Sequence, residues 1–364
     1  MYETLDTPTL VIDEEKALRN IQQMAAKAQD QGVVLRPHTK THKSPYFAQI
    51  QSAHGAEGLM VAKLGEAEVM RRAGFLDQSI GYPLIGPLKE ARLRDLLLAG
   101  VRVRISVDSL DGLASLKRVF QTTGVRIGAL IEVDTGMHRC GVEDPSAVLS
   151  LAQAVEEADG IDYLGITCFG GHLASTYDKD AIVGRIREED RLLSELARRL
   201  DDAGLHASII SEGGTIPAAF LDELRTATEI RPGTYIFNDV ATVASHAAIW
   251  DECALAVLTT VVSRPSRERA IIDAGSKTLG LDGPINGSYG WVVDHPEIRL
   301  TRMSEEHGIV QPVDGRSLDL AIGDRLLIIP NHVCPTVNLH DFAALARQGQ
   351  LVGEVPIEAR GLVQ

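Results

Sequence analysis

A short apolar run followed by a helix-like stretch recurs eight times between residues 32 and 233. The apolar runs cover residues 32–38, 58–63, 78–85, 101–108, 127–134, 163–171, 207–214 and 227–233. The stretches between them, such as RIREEDRLLSELARRLDDAG, are rich in Leu, Ala, Arg and Glu, which favour helix. Eight such repeats predict an α/β fold in which parallel strands close into a (β/α)8 TIM-like barrel. A doubly wound open sheet is the alternative, but it usually carries a GxGxxG turn, which this sequence lacks.

The alternation of apolar runs and helix-like stretches stops after about residue 248. LAVLTTVVSRP, RAIIDAG, IRLTRMSEEHG and RLLIIPNHV are typical of strands separated by Gly/Pro turns, with no long helices between them. The 364 residues are also long for one domain, which favours a large barrel with a smaller partner. We therefore predict a barrel over residues 10–247 and a second, C-terminal β-rich domain over residues 248–364, which residues 1–9 join.

The charge of the chain restricts its partners. It has 36 basic and 50 acidic residues, a formal net charge of −14, which opposes binding to nucleic acid or to an anionic membrane. No apolar run reaches the roughly 18–20 residues that span a bilayer, and the N-terminus lacks the pattern of a signal peptide. The four cysteines form no CxxC pair, so reduced thiols are expected. These features predict a cytoplasmic protein with a small-molecule substrate.

The segment RPHTKTHKS, residues 36–44, is the first candidate for chemistry. Reactive side chains of a parallel barrel lie where the strands end, and Lys40 comes two residues after such an end. An amine in the barrel mouth can be desolvated among cationic neighbours, which makes it a usable nucleophile. A solvent-facing loop lysine is the ordinary alternative. Two histidines and two lysines within six residues favour a functional role; they are His38, Lys40, His42 and Lys43.

PHTKTHKS closely resembles the N-terminal segment of the D-threonine aldolase and D-serine dehydratase group, which are pyridoxal-phosphate enzymes with the alanine-racemase barrel. The resemblance continues in order along the chain through GLMVAKLGEAE, EVDTGMHRCGV, SEGGT, RPGTYIFND, DAGSKTL and NHVCPTVNL. It implies that Lys40 is the Schiff-base lysine. It also implies a homodimer in which the β-rich domain of one subunit covers the barrel mouth of the other.

The loops after the seventh and eighth strands are the usual phosphate site of such barrels, and SEGGT and RPGTY occupy them. Gly213 and Gly214 allow backbone N–H groups to approach an anion closely, although a plain tight turn is the alternative. The resemblance implies that Tyr235 hydrogen-bonds the phosphate. The residues predicted to bind pyridoxal phosphate are His38, Lys40, Arg139, Ser211, Gly213, Gly214, Thr215, Arg231, Gly233 and Tyr235.

Arg139 and His172 follow the fifth and sixth strands of the predicted barrel. The resemblance implies that Arg139 lies near the pyridine nitrogen of the cofactor, which a guanidinium would keep unprotonated. A salt bridge to Asp134 or another acid is the alternative. His172, after FGG, would stack on the cofactor or act as a base, and a capping or core histidine is the alternative. His42 is the other candidate base.

The segment NHVCPTVN, residues 331–338, predicts a metal site. If it is a strand, His332 and Cys334 alternate along it and point to one face. An imidazole and a thiolate form half of a zinc site, whereas a buried free cysteine beside an incidental histidine is the alternative. The resemblance favours a divalent metal, zinc or else manganese or magnesium. Aldolases of the group characteristically have His-x-Asp here and dehydratases His-x-Cys, whereas the following PTVN is more aldolase-like.

Together these residues predict a lyase that acts on D-β-hydroxy-α-amino acids and depends on pyridoxal phosphate and a divalent metal. PTVN and the GGH segment favour aldolase-type cleavage to glycine and an aldehyde. A dehydratase that converts D-serine or D-3-hydroxyaspartate into a 2-keto acid and ammonia needs the same groups and is the main alternative. A racemase would not need the metal motif, and a non-catalytic pyridoxal-phosphate carrier tends to be a bare barrel.

Overall fold

The computed structural model describes residues 2–364, of which Ala174 is described by its backbone alone. Contacts divide the chain into two compact units. The barrel unit holds Gln23–Lys40, Phe47–Gly233 and Leu362–Gln364. The β-rich unit holds the N-terminal segment up to Gln22, Thr41–Tyr46 and Thr234–Gly361. The predicted domain boundaries, after residues 9 and 247, are therefore not the positions at which the contacts divide the chain.

Eight parallel strands form the sheet of the barrel unit. Strand β1 (Thr9–Asp13) belongs to the other unit. The barrel strands are β2 (Val34–Leu35), β3 (Leu59–Val61), β4 (Asp77–Ile80), β5 (Arg102–Val107), β6 (Ile127–Val133), β7 (Ile161–Phe169), β8 (Ile209–Gly213) and β9 (Glu229–Arg231). Their order is β2-β9-β8-β7-β6-β5-β4-β3, and a parallel bridge between His38 and Met60 joins its two ends. Each strand overlaps one of the predicted runs, and the predicted barrel is confirmed.

Helices alternate with these strands. The first eight helices of the chain are α1 (Glu14–Asp30), α2 (Pro45–Ala53), α3 (Leu64–Arg72), α4 (Pro87–Leu98), α5 (Leu110–Thr123), α6 (Pro145–Glu156), α7 (Lys179–Asp202) and α8 (Thr215–Ala219). Helix α7 buries Ile182, Ile186, Leu193, Leu196 and Leu200, which lie three, four or seven residues apart on one face. Strand β6 is buried along nearly its whole length, as expected for a parallel strand covered on both faces. Among the described residues, no helix is both long and apolar enough to cross a membrane.

A buried ion network lies near the end of the barrel where β4 and β9 begin. The fully buried Arg36 donates from Nε to Glu229 Oε2 at 2.8 Å and from Nη1 to Asp77 Oδ1 at 2.7 Å. Arg104 Nη1 also donates to Glu229 Oε2, at 3.0 Å. Burial alone would raise the pKa of Glu229, but the charge of Arg36 and the hydrogen bonds from Ser211 and Arg36 hold it below its ordinary value. These pairs occupy one end of the barrel, which leaves the carboxyl ends of the strands for chemistry.

The β-rich unit contains β1 and the strands that follow the barrel. They are β10 (Leu255–Ser266), β11 (Arg269–Ile272), β12 (Gly290–Val292), β13 (Ile298–Met303), β14 (Gly308–Pro312), β15 (Arg325–Pro330), β16 (Phe342–Arg347) and β17 (Gln350–Pro356). The sheet has the order β13-β14-β11-β10-β1-β16-β17, and β15 pairs with β10 and β12. Strand β1 runs parallel to β16 and antiparallel to β10, so the N-terminal segment is part of this sheet. The unit also holds the short helices α9 (Val240–Ala244), α10 (Ser276–Leu279) and α11 (Val333–Asn338).

Candidate functional site

Lys40 lies at the carboxyl end of the barrel strands. It follows the bridge residue His38 by two positions, and its backbone N–H donates to His38 Nδ1 at 3.3 Å. Its amine lies 5.1 Å from the centroid of the Phe169 ring at the end of β7. The guanidinium of Arg139, in the loop after β6, lies 4.7 Å from the same ring centroid. The structure therefore brings two of the predicted cofactor residues to one aromatic side chain.

A turn around Asp134 holds the loop that carries Arg139. The Asp134 carboxylate accepts hydrogen bonds from the backbone N–H groups of Gly136 at 2.8 Å, His138 at 3.1 Å and Arg139 at 3.2 Å. Although burial acts to raise it, backbone hydrogen bonds from Gly136, His138 and Met137 hold the pKa of Asp134 below its ordinary value. Within residues 2–364, no ion pair joins the guanidinium of Arg139 to Asp134. Asp134 therefore shapes the loop and leaves the Arg139 side chain exposed beside Phe169.

His42 and Lys43 belong to the β-rich unit and are both buried. His42 Nδ1 accepts the backbone N–H of Ser44 at 3.2 Å. Lys43 has a φ of 51°, in the left-handed region, and its amine donates to the backbone carbonyl of Ala359 at 3.4 Å. The amine of Lys43 thus holds the C-terminal segment, and His42 is a weaker candidate base because its Nδ1 already accepts a backbone N–H.

The Gly-Gly pair of the predicted phosphate loop lies between β8 and α8. Gly213 is the last residue of β8, and a Cβ at this position would lie 2.7 Å from Arg231 Nη2. Gly214 has a φ of 128°, which L side chains rarely adopt. Thr215, the first residue of α8, is buried. The backbone conformation requires glycine at Gly214, and the buried Arg231 side chain leaves no room for a Cβ at Gly213. The turn that they form keeps side chains away from its N–H groups, as close approach of a phosphate demands.

Ser211 and Arg231 are buried in the barrel and bonded to each other. Arg231 Nη1 donates to Ser211 Oγ at 2.5 Å, and Nη2 donates to the Cys168 carbonyl at 2.6 Å. The Ser211 hydroxyl donates to Glu229 Oε1 at 2.5 Å. The side chains of these two predicted cofactor residues are therefore hydrogen-bonded to other groups of the barrel interior. Gly233 ends the long segment of the barrel unit, and Tyr235 is buried in a 3₁₀ turn of the β-rich unit.

His172 lies in a 3₁₀ turn, Gly171–Ser175, that directly follows β7. Its Nε2 is 3.8 Å from Glu189 Oε2 on α7. Its Nδ1 is buried and has no hydrogen-bond partner among the described residues. A Cβ on Gly136 would lie 3.4 Å from His172 Nε2, so a glycine in the Asp134 turn makes room for the imidazole.

His332 and Cys334 do not lie on a strand, and this prediction was wrong. Strand β15 ends at Pro330, His332 precedes α11, and Cys334 lies in the first turn of that helix. The physical reason is Pro335: a proline has no N–H for a sheet, but it fits the first turn of a helix, where N–H groups have no intrahelical partner. Cys334 Sγ lies 3.1 Å from Thr41 Oγ1 and 3.7 Å from Thr234 Oγ1.

The two predicted metal ligands are nevertheless close enough to interact. Burial would lower the pKa of His332, but the charge of Cys334, together with hydrogen bonds to Asp282 and Cys334, outweighs it and raises this pKa to about 11. His332 Nδ1 lies 2.8 Å from Asp282 Oδ2. A second acid, the buried Asp239, accepts the backbone N–H of Val333 at 3.1 Å, and its charge also acts on His332. These negative groups draw positive charge to the imidazole.

Three residues of these clusters were not among the predicted site residues. Asp282 lies 50 residues before His332, so local spacing carries no signal for it. Asp239 belongs to the RPGTYIFND segment, where a helix-capping role is the simpler interpretation, and it does cap α9. Phe169 could have been found, because it is the aromatic residue that ends a strand at the reactive rim of the barrel.

Two family models match most of the chain. Residues 12–240 match the alanine racemase N-terminal domain, and residues 254–346 match the putative serine dehydratase domain. The D-threonine aldolase of Arthrobacter sp. is 33% identical over 362 residues, which cover 98% of this chain and 93% of the relative. The D-threo-3-hydroxyaspartate dehydratase of Delftia sp. (strain HT23) is also 33% identical, over 371 residues, which cover 96% of each chain.

Solved structures agree with these matches. The crystal structure of the D-threonine aldolase from Filomicrobium marinum superimposes with a TM-score of 0.91 and 34% identity, covering 99% of this chain and 97% of the other. The Delftia dehydratase superimposes with a TM-score of 0.90 and 30% identity, covering 97% and 98%. A D-threo-3-hydroxyaspartate dehydratase has also been solved as a variant with a cysteine replaced by alanine, in a metal-free form, and as a variant with a histidine replaced by alanine.

Proposed function

Because this chain belongs to the D-threonine aldolase and D-serine dehydratase-like family of pyridoxal-phosphate lyases, we propose that it cleaves D-β-hydroxy-α-amino acids to glycine and an aldehyde. The observation that carries the proposal is that the Lys40 amine and the Arg139 guanidinium share the Phe169 ring at the carboxyl end of the barrel. D-Threonine is the first substrate to test, since it is the namesake substrate of the Arthrobacter and Filomicrobium relatives.

Lys40 is the proposed attachment point of pyridoxal phosphate. When bound, this cofactor would supply an electron sink for the electron pair released as a bond at the β-carbon or α-carbon breaks. The donor set supports the fit: an amine and a guanidinium that both lie near the Phe169 ring, and a Gly213–Gly214 turn that a Cβ would fill. Arg139 is assigned to the ring nitrogen, and His38 supports the lysine through its Nδ1.

The phosphate is assigned to the backbone of the Gly213–Gly214 turn, with Thr215, Gly233 and Tyr235. Ser211 and Arg231 have a supporting role in this proposal. Their side chains are bonded to each other, and Arg231 Nη2 packs directly against Gly213, so they hold the turn in position.

His332 and Cys334 are the proposed ligands of a divalent metal. Imidazole nitrogen and thiolate sulfur are ligands that zinc accepts, so zinc is our first choice, ahead of manganese or magnesium. A metal at this pair would lower the pKa of the substrate's β-hydroxyl group. Asp282 supports the assignment because a ligand histidine usually has a carboxylate on its other ring nitrogen, which fixes the ring orientation.

The residue that moves a proton decides the outcome. If His172 removes the proton of the β-hydroxyl group, the Cα–Cβ bond breaks and an aldehyde leaves, and the return of a proton to Cα gives glycine. His172 is the first candidate for this base because its Nδ1 has no hydrogen-bond partner among the described residues, whereas His42 Nδ1 already accepts the backbone N–H of Ser44. If the Lys40 amine, once the substrate amine has displaced it, instead removes the α-proton, the hydroxyl group is lost as water, and hydrolysis of the remaining imine gives a 2-keto acid and ammonia.

A dehydratase is the second candidate, and Cys334 is the observation that favours it. A D-threo-3-hydroxyaspartate dehydratase has been solved in a metal-free form with one of its cysteines replaced by alanine. In this alternative the preferred substrate is D-serine or D-3-hydroxyaspartate. The two candidates differ in their products and not in the groups that they need.

Product identification separates the two candidates. Purified protein, supplied with pyridoxal phosphate and zinc, is incubated with D-threonine, D-serine or D-3-hydroxyaspartate, and glycine, aldehyde, 2-keto acid and ammonia are measured. We expect glycine and acetaldehyde from D-threonine. Keto acid and ammonia without glycine would instead establish the dehydratase, and turnover to the L-enantiomer alone would establish a racemase.

A matched pair of variants tests the lysine assignment. Lys40→Ala is expected to abolish every lyase reaction. Lys43→Ala is expected to retain lyase activity, because the amine of Lys43 holds the Ala359 carbonyl, and to lose about 1–2 kcal/mol of stability. Activity lost in both variants to the same extent, with both proteins folded, would contradict the assignment.

A further inference from the structure

Two glutamates lie side by side in the interior of the barrel unit, and the proposed mechanism does not use either. Glu189 comes from α7 and Glu212 from β8, and both are at most 3% exposed. Their carboxylate oxygens and the thiol of the equally buried Cys168, on β7, lie within 4.8 Å of one another. Two carboxylates at this distance, away from water, cannot both be ionised without a large cost.

The hydrogen bonds of the pair are unevenly distributed. Glu189 Oε2 accepts the Thr135 hydroxyl and lies 3.8 Å from His172 Nε2. By contrast, Glu189 Oε1 and both oxygens of Glu212 have no hydrogen-bond donor from any described residue. Buried carboxylate oxygens without donors are rare in native proteins, and one proton held between the two side chains would satisfy two of these three oxygens.

The charges around the pair favour such a proton. Burial, then the charge of Glu189 and a hydrogen bond with it, raise the pKa of Glu212 well above its ordinary value. Arg231 on β9 acts in the opposite direction, but its N–H groups are already bonded to Ser211 and to the Cys168 carbonyl. Apart from His172, the other titratable groups around the pair carry no positive charge: they are the thiol of Cys168 on β7 and the carboxyl groups of Asp190 on α7 and Glu132 on β6. The only positive charge among these groups is that of Arg231, whose N–H groups already have acceptors, so the surroundings favour a proton on the pair.

We propose that Glu212 holds one proton, shared with Glu189, so that the single negative charge of the pair lies on Glu189 beside His172. This charge favours the His172 tautomer that carries hydrogen on Nε2 and leaves a lone pair on Nδ1. Nδ1 is the nitrogen without a partner. Glu189 and Glu212 are thus positioning residues for His172, and only the role of Nδ1 as the proton acceptor rests on the proposed lyase function.

The first experiment observes the proton directly. Infrared spectra of the holoenzyme labelled with ¹³C-glutamate are compared for the wild type and for Glu212→Gln at neutral pH. We expect a protonated glutamate carboxyl band in the wild type that Glu212→Gln removes. Glu188→Gln, the same change at an exposed neighbour on α7, retains the band. If Glu212→Gln does not fold, the wild type alone still decides, because a spectrum without any protonated glutamate band would overturn the proposal.

The second experiment observes the tautomer. Nitrogen-15 NMR of the histidine rings is expected to show His172 with hydrogen on Nε2, and Glu189→Gln is expected to lose this preference. The same variant should reduce kcat about tenfold or more and move the acidic limb of the pH–rate profile to lower pH, with KM nearly unchanged. Glu188→Gln should leave all three readouts unchanged. Hydrogen on Nδ1 in the wild type would overturn the proposal.

A buried cation is the competing explanation, since a thiol and two carboxylates are also metal ligands. Metal analysis of the wild type, Glu212→Gln and Cys334→Ala distinguishes the two. A metal equivalent lost in Glu212→Gln but kept in Cys334→Ala would overturn the shared proton. The infrared and NMR readouts need no turnover. A protein without lyase activity that still shows the band and the tautomer would therefore contradict the proposed function and not this inference.

Discussion

Lys40 and Lys43 are three residues apart, yet their amines have different surroundings. Lys40 is partly exposed at the carboxyl end of the barrel strands and lies against an aromatic ring that it shares with Arg139. Lys43 is buried, and its amine donates to a backbone carbonyl. At the scale of the residue, the reactivity of a lysine therefore depends on whether a substrate can reach its amine and on whether other cations lie near that amine.

Glu212 makes the stability of the fold depend on pH. Because burial raises its pKa, the folded state keeps a proton that the unfolded state releases above an ordinary pKa of 4.5. The contribution of this group to the free energy of unfolding is complete below pH 4.5 and falls as pH rises towards the folded pKa. We expect Glu212→Gln, which cannot ionise, to gain stability relative to the wild type between about pH 5 and 8. Urea unfolding at several pH values measures this, and a difference independent of pH would contradict it.

At the scale of the element, β7 carries an irregularity that precedes the site. Opposite β6, the register jumps from Ala129–Tyr163 to Leu130–Gly165, which leaves Leu164 as an extra residue. Gly165 has a φ of 133°, and a Cβ there would lie 2.1 Å from the Ile209 carbonyl oxygen. The bulge therefore determines which residues between Gly165 and Phe169 face the interior of the barrel.

A pair of glycine-to-alanine changes tests this element. Gly165→Ala should destabilise the protein by more than about 3 kcal/mol, because its Cβ meets backbone that cannot move easily. Gly184→Ala, at an exposed position in α7 with nothing within 4 Å, should stabilise it by about 0.5–1 kcal/mol. Thermal unfolding measures both. Equal effects of the two changes would show that the bulge is not a structural requirement.

Helix α11 and the Asp282 loop together orient His332. Asp282→Asn keeps the shape of the side chain but removes the charge that acts on the imidazole, so zinc affinity should fall about 10–100-fold. Competition with a chromophoric chelator measures the affinity. Asp319→Asn, an exposed aspartate of the same unit, is the control. Unchanged affinity in Asp282→Asn would remove this residue from the proposed metal site.

The barrel was predictable from the sequence because parallel strands covered on both faces appear as apolar runs, and all eight runs overlap a strand. The same rule identified Lys40, Arg139 and His172 at the ends of strands. It failed at His332 and Cys334, where alternation suggested a strand and the first-turn role of Pro335 was overlooked. Asp282 and the Glu189–Glu212 pair depend on contacts between distant segments, which no local pattern records.

At the scale of the whole molecule, the proposed reaction requires two groups that the chain does not itself supply. Pyridoxal phosphate is proposed for the barrel unit and a divalent metal for the β-rich unit. The homodimer implied by the family resemblance stays a prediction, to be measured by light scattering. The two groups can be removed separately, which makes their contributions distinguishable.

Chelation tests the need for metal. Treatment with EDTA should reduce lyase activity at least about 100-fold while the absorbance of the bound cofactor persists, because the metal acts on the hydroxyl group and not on the attachment of the cofactor. Added zinc should restore activity. Cys334→Ala, which removes one proposed ligand, should behave like the chelated enzyme. Full activity after complete removal of metal would favour the racemase alternative.

The central claim is that the amine of Lys40 is the covalent attachment point of the cofactor. Borohydride reduction of the holoenzyme, followed by proteolysis and mass spectrometry, identifies the modified residue without any assumption about the substrate. We predict that the reduced pyridoxyl group lies on Lys40. Its recovery on Lys43, Lys63 or any other residue would contradict the account.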